Sequence, residues 1–314
     1  MRAPLFLFVS LLAFGQAAVS QASAADLAKH LRSKDSVERL RAANELGKLG
    51  AGAASAVAAL GSALGDEIPE VRNAAADALG KVGKPAVAVV GKALADDKRQ
   101  LAALRAIGQL GAAAVELLPA VTKLWPPNKV DGTAIGDCLR AVGEPAVPHL
   151  ITCLSDNAIS LDVCNVLRDL GPKAKAAVPA LLQLMEKRGV RGTEGAAEVL
   201  GKIGDPRAVP ALIAAVERSL PKIDFTVNNV GGNAMRSLGE IKAQPDKVVP
   251  LALRVIASDR RDQSWLYHQR WAIDALQVFD ARTPEVLTGL RAFLAANPGE
   301  NKAAAEQVLK ALGG

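Results

Sequence analysis

The chain has 314 residues, half of them hydrophobic but only 3% aromatic, so a core must be built from Ala, Val, Leu and Ile. Side chains of that size suit closely stacked helices better than a sandwich or barrel. The 38 basic and 32 acidic residues give a formal charge of +6, too mild and dispersed for the basic stripe of a nucleic-acid binder. The three cysteines, Cys138, Cys153 and Cys164, include no CxxC or CxxCH, so zinc-ribbon, thioredoxin-like and c-type haem readings lack their motif.

At the N-terminus, Arg2 is followed by an uncharged, mostly apolar run, Leu5 to Ala18, and then by Ala22-Ser23-Ala24. This is the layout of a secretory signal peptide with a small-residue cleavage site. The run is shorter than the roughly 20 residues that cross a bilayer. We therefore expect residues 1–24 to be a signal peptide cleaved near Ala24, and the exported chain, periplasmic or extracellular, to comprise residues 25–314. An uncleaved anchor is the alternative. No other stretch is expected to span a membrane.

From there on one beat recurs: a leucine or isoleucine, two residues, an apolar residue, and usually a glycine. Its leading positions are Leu46, Leu79, Ile107, Leu139, Leu167, Leu200, Leu238, Leu276 and Leu309, separated by 33, 28, 32, 28, 33, 38, 38 and 33 residues. Near-constant spacing of this kind marks a repeat array. Four residues before each beat stand Ala42, Ala75, Ala103, Ile135, Val163, Ala196, Ala234, Ala272 and Ala305, all apolar. Two residues before it stand Asn44, Asp77, Arg105, Asp137, Asn165, Glu198, Arg236, Asp274 and Gln307, all polar. At 100° per residue the two columns fall on opposite faces of a helix. In Asp66–Leu94 the pattern predicts a helix from about Pro69 to Val82, a left-handed glycine at Gly83, and a shorter second helix over Pro85 to Leu94. Prolines near the start of the other helices, Pro119, Pro148, Pro179, Pro210, Pro250 and Pro284, repeat the signal.

The segment Gly204-Asp205-Pro206-Arg207-Ala208-Val209-Pro210-Ala211-Leu212, with Val71-Arg72 leading into Ala75, Ala78, Leu79 and Gly80, resembles the HEAT-like repeat named after phycobilisome lyases. The resemblance runs from about Asp26 to the end. It implies an all-α fold, a right-handed α-solenoid of about nine stacked helical hairpins, with one helix of each pair lining an inner surface. One departure stands out. The second-helix arginine of Arg39 and Arg72 becomes Gln100, Gly132, Ser160, Thr193, Gly231 and Gln269 before Lys302 restores a cation. A regular ladder from arginine to turn is therefore not expected across the middle.

Candidate chemistry is sparse. His30, His149 and His268 are scattered, and none precedes a glutamate, so the His-Glu pairs of a HEAT-type metal hydroxylase are missing. No GxSxG or P-loop occurs, and no metal, cofactor or catalytic residue is expected. The cysteines fall in adjacent repeats and read either as small core hydrophobes or as a disulfide of an exported protein. Trp125-Pro126-Pro127 reads as a stiff turn.

The rhythm breaks in repeats 7 and 8, where both 38-residue spacings carry extra sequence near Arg218–Asn229 and Ser258–Ser264. Insertions at equivalent turns of a solenoid stand side by side on one edge, often the binding edge. Trp265-Leu266-Tyr267-His268-Gln269-Arg270-Trp271 follows, with two of the three tryptophans and the single tyrosine. Tyr267, Trp271 and Asp274 share the polar face, Trp265 points to the core, and Arg260, Arg261, Arg270 and Arg236 border the cluster. These residues form either a protein-recognition patch or, for Trp271, a plug for the gap left by the long turn. The expected function is a non-enzymatic scaffold of the cell envelope that binds a protein or peptide, because a mixed-sign column does not suit nucleic acid. A bilin-lyase-like chromophore or small-molecule handler and a purely structural spacer are the alternatives.

Overall fold

The computed structural model describes residues 23–125, 132–187, 192–220, 228–258, 263–297, 299 and 301–314. Nine helix pairs follow one another among them. The first helices of the pairs are α1 (Ala24–His30), α3 (Val57–Ala63), α5 (Val87–Leu94), α7 (Leu118–Thr122), α9 (Val147–Cys153), α11 (Val178–Glu186), α13 (Val209–Ser219), α15 (Pro245–Ile256) and α17 (Pro284–Ala296). The second helices are α2 (Ser36–Leu49), α4 (Pro69–Val82), α6 (Gln100–Leu110), α8 (Gly132–Val142), α10 (Ser160–Leu170), α12 (Gly192–Ile203), α14 (Asn228–Ile241), α16 (Gln263–Val278) and α18 (Lys302–Ala311). Each even-numbered helix packs on the next even-numbered one along the whole array. The fold is an α-solenoid, and no strand occurs among the described residues.

The two apolar columns form the core. Every residue four places before a beat is buried, and all the beat residues are buried except Leu309, which is partly so. A lone hairpin would leave both columns in water, so stacking is the main stabilising event.

The turns between pairs depend on backbone conformation. Gly50, Gly83, Gly111, Gly143, Gly171 and Gly204 have φ between +54° and +80°, the left-handed region where a side chain is penalised. Two later turns take a positive φ without glycine: Lys242 has φ +55° and Asp280 has φ +48°. Gln244, two residues further on, is also left-handed at φ +54°.

The turns within pairs carry a device that the sequence pattern did not reveal. The Asp35, Asp66, Asp96 and Asp156 carboxylates each accept the backbone N–H two residues on, at 2.9–3.0 Å. Such a side chain replaces a backbone acceptor and fixes the chain before the next helix.

The second-helix arginines work on the same turns. Arg39 donates to Ser33 O at 3.0 Å and Arg72 to Asp66 O at 2.7 Å, each six residues upstream. The interruption expected after Arg72 is only partial: Gln100 reaches Leu94 O at 3.0 Å and Thr193 reaches Lys187 O at 3.2 Å, again six residues back. A shorter donor serves where the turn lies closer.

Two expectations need correction. Pro250 lies inside α15, not near its start, which Pro245 occupies. Gln100–Thr122 is long and apolar enough to cross a membrane by length and composition. In the fold it is broken at Gly111, φ +57°, and divided between α6 and α7, and Leu104, Ile107, Leu118 and Val121 within it are buried in the solenoid core.

Candidate interaction surface on repeats 7 and 8

α13 extends to Ser219 and α16 begins at Gln263, so part of each sequence insertion lengthens a helix. Residues 221–227 and 259–262 of the insertions, including Arg260 and Arg261, lie outside the described residues.

On α16 the residues alternate between core and surface as the register predicts. Trp265 is fully buried and stacks on His268, with centroids 4.8 Å apart. One turn on, Tyr267 is 58% exposed, the largest exposed aromatic among the described residues. Its ring lies 6.0 Å from that of Trp271 at an angle of 32°. Trp271 is partly buried against the core. One side of the indole is packed and part of it stays at the surface.

The reason lies in α14. A Cβ at Gly232 would sit 2.6 Å from Trp271 Cζ3 and 3.0 Å from His268 Cε1; one at Gly231 would sit 2.3 Å from Ser219 Oγ. The adjacent glycines let the indole and imidazole lie directly on the α14 backbone. Sequence reasoning passed over this pair, although two glycines inside an amphipathic helix cost stability and signal a close approach.

The polar column beside these rings is largely self-paired. Arg236 donates to Glu240 at 3.2 Å and lies 3.6 Å from Glu198; Lys202 donates to Glu240 at 2.7 Å; Arg168 lies 3.6 Å from Glu198. Arg270 and Asp274 pair at 3.1 Å on α16. Earlier in the array Arg105 grips Asp77 through two bonds of 2.9 and 3.1 Å, and Arg140 bonds Asp169 at 2.7 Å. The mixed signs thus tie neighbouring second helices together. At half-exposed positions such pairs add little stability each, but they leave no band of one charge.

The cysteines are free thiols. Burial pushes Cys138 and Cys164 up to about 12 and raises Cys153 less. Thiols held protonated are poor nucleophiles. A cleft of about 810 Å³ opens between α15 and α17, lined by residues such as Leu253, Ile256 and Phe293, and it contains no cysteine or histidine. Among the described residues no cluster of three or more His, Cys, Asp or Glu could hold a metal.

With this geometry in place, the sequence comparisons give two matches. The HEAT-repeats model matches residues 24–108, and the PBS lyase HEAT-like repeat model matches residues 194–218. The chain carries HEAT repeats. Comparison with curated proteins finds no match. Solved structures similar to it include three that are remote in sequence. Importin beta, crystallised in a polyethylene glycol condition, aligns at TM-score 0.48 and 12% identity over 92% of this chain and 53% of its own. Beta-catenin, from work on its interaction with cadherin, aligns at 0.42 and 16% over 91% and 69%. The CpcE–CpcF complex of phycocyanin lyase from Nostoc sp. aligns at 0.26 and 21% over 97% and 100%.

Proposed function

We propose that this protein is a non-enzymatic scaffold of the cell envelope that binds a protein or peptide through the second-helix face and the turn edge of repeats 7 and 8. The observation that carries this reading is the exposed Tyr267 in ring contact with Trp271, on a face whose charges are otherwise internally paired. Interface energy concentrates in a few large aromatic or arginine side chains, and this edge supplies them. The N-terminal signal-like sequence supports export. Thiols pushed far above neutrality, and a cleft whose lining has no cysteine or histidine, give no support to a lyase-like alternative.

The test is capture of partners from an envelope extract by wild-type protein, by Tyr267→Ala and by Tyr267→Ala/Trp271→Ala. Loss of the same partner from both variants, with helicity unchanged by circular dichroism, is the expected result. An unchanged set of captured proteins would remove this edge as the binding surface. Sequencing the N-terminus of the mature protein from a host envelope tests cleavage near Ala24.

A further inference from the structure

The cleft between α15 and α17 is lined by first helices and their ends, with no residue of α16 or α18 among the described lining. Its lining follows α17 from Pro284 to Asn297, a distance of about 20 Å along the helix axis. Ile256 and Phe293, 2% and 4% exposed, form its floor. Leu253 lies directly on Gly289, where a Cβ would stand 2.8 Å from Leu253 Cδ2. Glu285, Gly289, Ala292 and Ala296 fall within about 60° of one another around α17. That stripe has a carboxylate at its N-terminal end and only small side chains beyond it.

A volume of about 810 Å³ is of ligand-binding size, and the lining limits what fills it. Glu285 is the single charged residue in the described lining. Its own backbone N–H and then the Thr283 hydroxyl hold the carboxylate below its usual range, so it is ionised near neutral pH. Arg282 and Arg254, next to the lining in sequence, already bond Asp280 at 2.7 Å and Glu217 at 3.0 Å. Arg291 lies about 140° round α17 from the small-residue stripe. An anionic amphiphile such as a fatty acid therefore meets a like charge. An extended peptide fits no better. The walls are helices whose backbone groups bond within the helix, so its N–H and C=O groups would be buried without partners. A helix brings its own backbone bonds and lays an apolar stripe into a groove of this kind. We propose that the α15–α17 cleft receives an amphipathic helix of a protein partner, with apolar residues along one face and a lysine or arginine set against Glu285. This site is separate from the Tyr267 edge, and neither reading depends on the other.

The test uses the full mature chain and a capped helical peptide of about twelve residues, with leucines at i, i+3, i+4 and i+7 and one terminal lysine. Titration calorimetry is expected to show saturable binding that weakens as salt is raised. Glu285→Gln should weaken it by about two- to fivefold and remove most of the salt dependence. Ala292→Trp places a bulky ring in the cleft at an exposed position and should weaken binding by about tenfold or more. Amide exchange should slow in α17 and at the end of α15 when the peptide is bound, which locates it without any substitution. Tyr267→Ala should leave peptide binding unchanged.

The proposal is overturned if no saturable heat appears up to roughly 1 mM peptide. It is equally overturned if the peptide binds as tightly with glutamate in place of lysine, or with a central proline that prevents the helix. Tighter binding of dodecanoate or dodecylamine would assign the cleft to a small amphiphile instead. Loss of binding in Tyr267→Ala, with Ala292→Trp unaffected, would move the peptide to the second-helix face and leave the cleft without this role.

Discussion

Replacing Gly83 by alanine isolates the cost of a left-handed backbone. Gly83 has φ +80°, and a Cβ built there meets nothing within 4 Å; the same is true of Gly143 and Gly204. Space is therefore not what excludes a side chain at these turns, and only the dihedral penalty remains. At ψ −144° Gly83 lies outside the αL well, so the penalty is at least the roughly 1–2 kcal/mol of that well for an L-residue, and alanine recovers about 0.4–1 kcal/mol by restricting the unfolded chain. The net loss is at least about 1 kcal/mol. At Lys242, φ +55°, the chain already bears the penalty, so Lys242→Gly should stabilise by a similar amount with opposite sign. With a urea dependence of about 3 kcal/mol/M, each change moves the unfolding midpoint by roughly 0.3 M, down for Gly83→Ala and up for Lys242→Gly. Urea titrations followed by circular dichroism, with the slope checked for constancy, make the measurement. The reasoning is refuted if Gly83→Ala is neutral or if Lys242→Gly lowers the midpoint.

Further outcomes follow from individual contacts. Asp205 is held at about 2 by the Arg207 side chain and then by the Arg207 backbone N–H. A depressed carboxylate stabilises the fold above its unfolded value of about 4, and that contribution disappears as pH falls through about 2; thermal midpoints of wild type and Asp205→Asn should differ at pH 6 and converge near pH 2. Native protein should react slowly with a thiol reagent, Cys153 first, and yield three thiols in urea; fewer than three under non-reducing conditions would restore the disulfide alternative. Gly232→Ala should displace Trp271 from the α14 backbone and red-shift its emission, whereas Gly239→Ala, whose Cβ would have 3.7 Å clearance, should not.

The array was legible because its information is redundant. Nine copies of an apolar column and an opposite polar column specify helices, faces and stacking even where one copy is atypical, as at Ile107 among the leucines of the beat. The contacts that position the surface were harder to see, because each occurs once. The polar column shows mixed signs in one dimension, but pairing Arg236 with Glu198 requires knowing that α14 lies beside α12. Gly231 and Gly232 look like weak helix formers until Trp271 and His268, more than 30 residues later, are seen to rest on them. Asp35, Asp66, Asp96 and Asp156 form a column too. Asp35, Asp96 and Asp156 stand 11 residues before Leu46, Ile107 and Leu167, and Asp66 stands 13 before Leu79; the column is legible, but its role needs the backbone N–H that each carboxylate accepts.

Irregularity gathers in one part of the solenoid, and this has a consequence for dynamics. Stability in a repeat array is close to a sum of each repeat's own terms and its contacts with two neighbours. Local strain is therefore diluted by only those neighbours. Repeat 8, formed by α15 and α16, is bounded by left-handed Lys242 and Gln244 on one side and left-handed Asp280 on the other. Repeats 2 to 6 close their turns with unstrained glycine. Strained backbone persists only where its surroundings hold it, and it collects at sites that bind or move. Amide exchange should accordingly open α15 and the end of α16 before α4 and α6, with local opening free energies lower by about 1–3 kcal/mol. Equal protection of α4 and α15 would mean that neighbouring repeats absorb the strain completely, and the clustering would then have no energetic consequence.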